Sequence, residues 1–210
     1  MSRRRRGLRG NRPLQAIVAG YAAVWIATAI APKYRSDWLL ENLLVFAFVP
    51  VLIATHRRFQ FSNVSYFLIA AFLSLHAYGA HSTYSETPLG FWMRDAFGLS
   101  RNHYDRLVHL AFGLLLAPPL RELAVRALRL RGAWSYAVPF AAALSMSASY
   151  EIIESWVARI ASPELGTAYL GTQGDEWDAQ KDMALAMLGA ALSLALGFAV
   201  ERLRGGRSRA

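Results

Sequence analysis

The 210-residue chain contains no cysteine. That absence removes disulfides, thiolate metal ligands and thiol nucleophiles together, and leaves imidazole, carboxylate and hydroxyl groups to carry any chemistry. Also missing are an HExxH pair, any recognised nucleophile motif, an internal repeat and a compositional break that would mark a second domain. Low-complexity sequence is confined to the Arg-rich ends, and acidic residues number only 14 against 23 basic ones. What the chain has in quantity is apolar length, with 55% of its residues hydrophobic.

The apolar residues come in blocks at about 14–32, 38–55, 64–80, 106–126, 133–154 and 183–200. About 18 or more such residues cross a hydrocarbon core about 30 Å thick, and no single soluble core needs six blocks of this length. The expected fold is therefore all-α: a polytopic membrane bundle of about six transmembrane helices. It forms one domain over 14–204, between a basic tail at 1–13 and another at 205–210. The first block, LQAIVAGYAAVWIATAIAP, follows SRRRR as a secretory signal would. It is longer than the 7–15-residue core of a signal and runs into APKYRSDW with no clean small-residue cleavage pattern, so a retained helix is expected.

Arginine distribution sets the expected orientation. With both termini in the cytoplasm, the inner segments hold 16 of the 23 basic residues, including Arg57, Arg58, Arg121, Arg126, Arg129, Arg131 and Arg202. Short cytoplasmic loops are enriched in this way. The net charge of +9 is then a topology signal with attraction to anionic lipid heads, and implies no nucleic acid. In that orientation only Glu122 and Glu201 among the 14 acids fall inside. The other twelve, Glu164 among them, and His76, His81, His103 and His109 gather toward the opposite, periplasmic face.

Helical spacing brings these groups together. His76 and His81 end the third block; Asp105 and His109 open the fourth at i, i+4; Glu151 and Glu154 close the fifth at i, i+3. Asp175, Asp178 and Asp182 form a stripe in GTQGDEWDAQKDM if the sixth helix begins near that turn, where first-turn acids suit the helix dipole. Ionisable groups in a span cost about 2.5–3.5 kcal/mol each and so face partners or a watery cavity. The candidate catalytic set is His76, His81, Asp105, His109, Glu151, Glu154, Asp178 and Asp182. The candidate metal ligands are His81, Asp105, His109, Glu151, Asp175, Asp178 and Asp182, where imidazole with carboxylate suits Zn, Mn or Fe and carboxylate alone suits Mg. Arg101, Asn102, Arg106, Tyr84 and Gln173 are candidates for holding an anionic substrate. Alternatively, Arg101, Arg106 and Lys181 neutralise the acids while Tyr84, Asn102 and Gln173 cap them, and the layer is structural.

Other features have structural expectations. The six tryptophans fall near span ends as an aromatic belt. Pro118 and Pro119 are expected to kink or end the fourth span. SETPLGFWMRDAFGLS (85–100) is amphipathic, and Phe91, Trp92 and Phe97 suit a short interfacial helix or lid. Glu41 and Asn42 are placed to join the polar layer from the second span.

HAYGAHSTY, GLSRNHYDRLVH, YEIIESW and GTQGDEWDAQKDM resemble the YjdF family of small bacterial inner-membrane proteins, over roughly residues 40–200. The resemblance implies an inner-membrane location, a helical topology and a site at these motifs, and it implies no particular reaction. More distantly, Asp105-Arg106-x-x-His109 and the Asp182–Gly189 spacing are similar to motifs of VanZ-like membrane proteins, although Ala186 stands where those proteins have asparagine.

Three functions fit these residues. The first is a membrane-embedded hydrolase or transferase, metal-dependent or acid/base, acting on a lipid or lipid-linked headgroup. The second is a non-enzymatic envelope accessory protein with a structural polar network. The third, a small transporter, is disfavoured because the ionisable groups cluster at one end instead of near the midplane. The partner common to all three is the lipid bilayer; the oligomeric state is not legible.

Overall fold

The structure is a computed structural model that describes residues 10–160, 166 and 172–207. The N-terminal arginines at 3–9, the last residues at 208–210 and Glu164 lie outside the described residues. Those described form seven α-helices and one short 3-10 turn, with no strand among them. They are α1 (Arg12–Ala29), α2 (Arg35–Thr55), α3 (Asn63–Ser82), the turn Tyr84–Glu86, α4 (Pro88–Phe97), α5 (Tyr104–Arg126), α6 (Trp134–Ile160) and α7 (Asp178–Arg207). The six expected blocks are six long helices, and an all-helical membrane bundle is the fold.

Four of these, α2, α3, α5 and α7, are long and apolar enough to cross a membrane by length and composition. The other two are diluted by polar residues. Arg12 and Gln15 open α1, while α6 carries serines at 135, 145, 147, 149 and 155 together with Glu151 and Glu154. The count of six crossings therefore exceeds what hydropathy alone supports.

Local sequence explains the boundaries. Asn11 caps α1 by accepting from Leu14 N at 3.2 Å, and Ser62 caps α3 by accepting from Ser65 N at 3.2 Å. α4, the expected amphipathic helix, starts at Pro88 behind the Thr87 cap and stops at Gly98, whose φ of 62° is a left-handed terminator. Trp92 and Phe97 stand 61% and 69% exposed on it. Pro118 and Pro119 do not end α5, which runs on to Arg126. Surrounding helices in a bundle re-satisfy the backbone groups that a proline frees.

The helices alternate in direction. One end of the bundle gathers Asn11 against Asn63 (2.7 Å), Ser62 N against Glu122 Oε1 (2.8 Å) and Arg121 Nη1 against Glu201 Oε1 (2.8 Å). The start of α1 and the end of α7 thus share an end, and the same end holds most of the described arginines. The opposite end gathers the α4 turn, the start of α5, the end of α6 and the start of α7.

α5 is the central element, packed against α3, α6 and α7, with α7 its closest neighbour. The reason is two glycines. A Cβ on Gly113 would strike the Ala186 carbonyl oxygen and lie 2.6 Å from Ala190 N, and one on Gly189 would strike Leu110 O and lie 2.7 Å from Leu114 N. Only hydrogen at both positions lets the two backbones touch, the small-residue packing that replaces hydrophobic driving force in a bilayer. Ala117, Ala143, Ala190 and Leu194 continue the interface as a buried cluster.

Candidate functional site

The close crossing of α5 and α7, which run parallel, fixes Asp105 and His109 beside Asp182. One ligand atom from each of these three residues lies within 4.8 Å of the others. Asp182 is 2% exposed and its Oδ1 has no hydrogen-bond partner. His109 Nε2 stands 3.6 Å from Asp105 Oδ1 and 3.3 Å from Glu151 Oε1, the latter without hydrogen-bond alignment, so that this oxygen is also unpartnered. Glu154, buried one turn further on α6, hydrogen-bonds Glu151. Three helices therefore deliver four carboxylates and one imidazole to one buried place.

The donor set fits a divalent cation. A tetrahedral ion with bonds of about 2.0–2.2 Å sets its ligand atoms about 3.3–3.6 Å apart, so a spread of 4.8 Å closes by about 1 Å when an ion binds. One nitrogen with carboxylate oxygens is the mixture that suits Zn, Mn or Fe, and carboxylates and histidines on facing helices are how bundles build such centres.

A second layer lies over this cluster. Arg101 donates to the Thr172 carbonyl oxygen and to both carboxylate oxygens of Asp178, with Nη1–Oδ2 at 3.3 Å. Arg106 donates to Asp175 and stands 3.4 Å from Asp178 Oδ1. Gln173 and Asn102 pair like strand neighbours, Gln173 Nε2 donating to Asn102 O (2.8 Å) and Asn102 N to Gln173 Oε1 (3.1 Å). Asn102 Oδ1 also accepts from Tyr104 N at 3.0 Å, capping α5. The arginines are thus engaged with Asp175 of the turn and Asp178 at the start of α7, and Arg101 also with the Thr172 carbonyl oxygen.

Asp175 does not share the stripe with Asp178 and Asp182. α7 begins only at Asp178, because Gly174 (φ 85°) turns the chain just before it. Asp175 instead accepts from Lys181 Nζ at 2.6 Å and from Trp177 N at 3.1 Å. The Lys181 hydrogen bond, ahead of the others, lowers its pKa from 3.8 to about 2. His103, just before α5, is held below its usual 6.5 by burial and by the neighbouring Arg106 and Arg101.

The other expected residues divide. His81 Nδ1 hydrogen-bonds the Thr28 carbonyl oxygen at 2.9 Å, so it ties α3 to α1 and stands apart from the Asp105–His109–Asp182 group. Its neighbour in the sequence, His76, is turned inward. Its Nδ1 is 2.6 Å from Tyr84 Oη and its Nε2 is 3.0 Å from Glu41 O, which fits a neutral ring donating from Nε2 and accepting at Nδ1. Burial raises the Tyr84 phenol well above 10, so it remains a donor. Glu41 belongs to the layer as expected, its Oε2 accepting from Tyr150 Oη at 3.2 Å. Tyr150, edge-on to His109 at 6.0 Å, and the buried Ser147 were not among the expected residues. Their only sequence signal is position, one residue and one turn ahead of Glu151 on the same helix.

Below the cluster opens a cleft of about 540 Å³ with His76, Tyr84, Asp105, His109 and Tyr150 at one end and apolar side chains of α2, α3, α5 and α6 along the rest.

Fold and site together define a helical, multi-pass membrane protein with a buried carboxylate–histidine cluster at one end of its bundle. The chain belongs to the family described as "Predicted membrane protein (DUF2238)", whose model matches residues 13–203. It is 40% identical over 168 residues to the inner membrane protein YjdF of Escherichia coli (strain K12), a match covering 80% of each chain. The YjdF resemblance is thereby established and with it a multi-pass inner-membrane location; the VanZ-like likeness gains no support. No solved structure matches the chain.

Proposed function

We propose that the chain is a membrane-embedded hydrolase or transferase that acts at the outer face of the inner membrane on the headgroup of a lipid or lipid-linked substrate. The observation that carries this reading is the buried Asp105–His109–Asp182 group with an orphaned Asp182 oxygen. An unpaired buried polar atom costs about 1–3 kcal/mol, and a bound cation would offset that cost at Asp182. Asp105, His109 and Asp182 would hold a divalent cation, which would supply a water acidified toward neutral pH. Glu151 is the acid/base, its unpartnered oxygen facing the same space, and Glu154 positions it. Arg101 and Arg106 hold the Thr172–Asp178 segment beside the site.

The arginine distribution supports the outward orientation. Trp92→Cys and Arg131→Cys in this cysteine-free chain test it: membrane-impermeant maleimide is expected to label the first and not the second in spheroplasts. The reverse pattern would overturn the orientation. For the reaction, full-length protein reconstituted with Zn or Mn in vesicles of phosphatidylethanolamine, phosphatidylglycerol and a polyprenyl phosphate is followed by phosphorus NMR and mass spectrometry. Headgroup turnover is expected from the wild type and none from Asp182→Asn. Absence of turnover from metal-loaded wild type on every lipid offered would overturn it.

A scaffolding reading draws on the outer layer, where Arg101, Arg106 and Lys181 already neutralise Asp175 and Asp178. It predicts unchanged envelope phenotype and stability for Glu154→Gln and Asp178→Asn, whereas the enzymatic reading predicts loss of function in the first.

A further inference from the structure

The cleft beside the site has a shape and a chemistry of its own. Its two lips are helices that leave a seam: α2 packs on α3, α6 packs on α5 and α7, and Tyr150 bridges α6 to Glu41 of α2 at the polar end. Leu44, Ala47 and Val51 on one lip and Ser145, Met146 and Ile153 on the other both line the cleft and are exposed. The seam therefore opens sideways, continuous with the apolar outer surface that faces lipid. Buried Val45, Leu73, Val108 and Leu116 form the floor. Along α5 the cleft runs from Asp105 to Leu116, which at 1.5 Å per residue is about 16 Å. Half of a hydrocarbon core about 30 Å thick is the same length, one leaflet.

Three serines of α6 interrupt the apolar wall, Ser145 and Ser149 exposed at the lip and Ser147 buried. Ser147 lines the cleft, is 2% exposed, and its Oγ has no hydrogen-bond partner. A serine in a membrane helix ordinarily bonds a backbone carbonyl of its own preceding turn; this one leaves its hydroxyl unpaired in the wall of the cleft. It sits four residues before Glu151, about 6 Å deeper along the helix. A polar group one turn below a headgroup site is where the ester oxygens of a glycerolipid lie, and a prenyl chain has no such oxygen.

We propose that the α2–α6 cleft takes in one acyl chain of a glycerophospholipid sideways from the bilayer, with an ester oxygen accepting from Ser147. This names the substrate class of the Asp105–His109–Asp182 site and rests on that reading for the placement of the headgroup. The chain lies along the α5 floor, and the headgroup reaches the carboxylate–histidine cluster at the polar end.

The test uses full-length protein in vesicles of phosphatidylethanolamine and phosphatidylglycerol, doped with a phosphatidylethanolamine that carries a diazirine on one acyl chain. After irradiation, labelled peptides are mapped by mass spectrometry. Residues 44–51 and 145–153 are expected to be labelled about tenfold more than the lipid-facing Leu188, Leu192 and Leu196 of α7, the ratio that a preference of about 1.4 kcal/mol gives. Ala47→Trp and Ser145→Phe, which fill the cleft from opposite lips, are expected to abolish that excess while leaving metal content unchanged. Asp182→Asn is expected to lose the metal and keep the labelling, so failure of the cleft and failure of the site are told apart. Even labelling over all lipid-facing helices, in a wild type that needs no variant, overturns the proposal. So does labelling that survives both filling variants, or stronger labelling of the same segments by a diazirine polyprenyl phosphate.

Discussion

Replacing Gly113 by alanine puts a methyl carbon where α5 and α7 touch backbone to backbone. That carbon would lie 2.6 Å from Ala190 N and closer still to the Ala186 carbonyl oxygen. Carbon contacts settle at about 3.5–4.0 Å, so the helices must part by roughly 1 Å, and neither neighbour is a side chain that can swing away. Overpacking of this kind costs about 1–3 kcal/mol. Taking about 2 kcal/mol, the melting temperature falls by roughly 4–8 °C for a chain of this size. The same separation carries Asp182 away from Asp105 and His109, whose ligand atoms already spread to 4.8 Å. A loss of about 2 kcal/mol at that site weakens metal affinity roughly 30-fold. The assay is a thermal melt in detergent alongside Zn or Mn titration of the purified variant. Gly20→Ala on α1 is the control: nothing lies within 4 Å of its added carbon, so it is expected to raise stability by up to about 1 kcal/mol. A Gly113→Ala protein that melts and binds metal like the wild type would refute the link between this crossing and the site.

Arg101→Leu leaves Asp178, side chain 6% exposed, without its main partner. The expected cost is about 3 kcal/mol, the low end of the range for breaking a buried pair, because Arg106 remains 3.4 Å from Asp178; Arg101→Leu/Asp178→Leu recovers most of it in the same melt, and an equally unstable double variant would contradict the pairing. Asp175 ionises at about 2 in the folded chain against an ordinary 3.8, so its contribution is present above about pH 4 and is lost as pH falls through about 2. Hydrogen exchange of the Trp177 amide, which donates to Asp175, is expected to lose protection across that window, and unchanged protection below pH 2 would contradict it. His81→Ala is expected to keep full metal content while losing about 1 kcal/mol with the Thr28 hydrogen bond; loss of metal would return His81 to the ligand set.

The apolar blocks announce themselves in the sequence because a bilayer demands length and hydropathy, and all six became helices, the first four within three residues of their expected bounds and the last two running five to seven residues past theirs. Asp105–His109 and Glu151–Glu154 were equally legible, since an i, i+4 or i, i+3 pair shares a helix face wherever the helix packs. What spacing cannot tell is which way a face turns. His76 and His81 are five residues apart, so they diverge around the helix, and α3 points one inward and the other at Thr28 of α1. The start of α7 was misjudged because Gly174 reads equally well as a helix start and as the left-handed turn it is, which leaves Asp175 off the stripe. Arg101 and Arg106 carry no mark that distinguishes a substrate clamp from a strap; only the fold shows them engaged with Asp175 and Asp178. The α2–α6 cleft and the unpaired hydroxyl of Ser147 were invisible, because both depend on helices distant in the chain and on a seam that sequence does not encode locally.

Metal content of the full-length protein, purified in detergent and measured by elemental mass spectrometry after loading with Zn or Mn, tests the central claim most directly. The account predicts about one ion per chain in the wild type, as one set of three protein ligands around one cation requires, and almost none in Asp182→Asn with its fold intact by melt. A wild type that binds no ion, or an Asp182→Asn protein that binds as much, would contradict it.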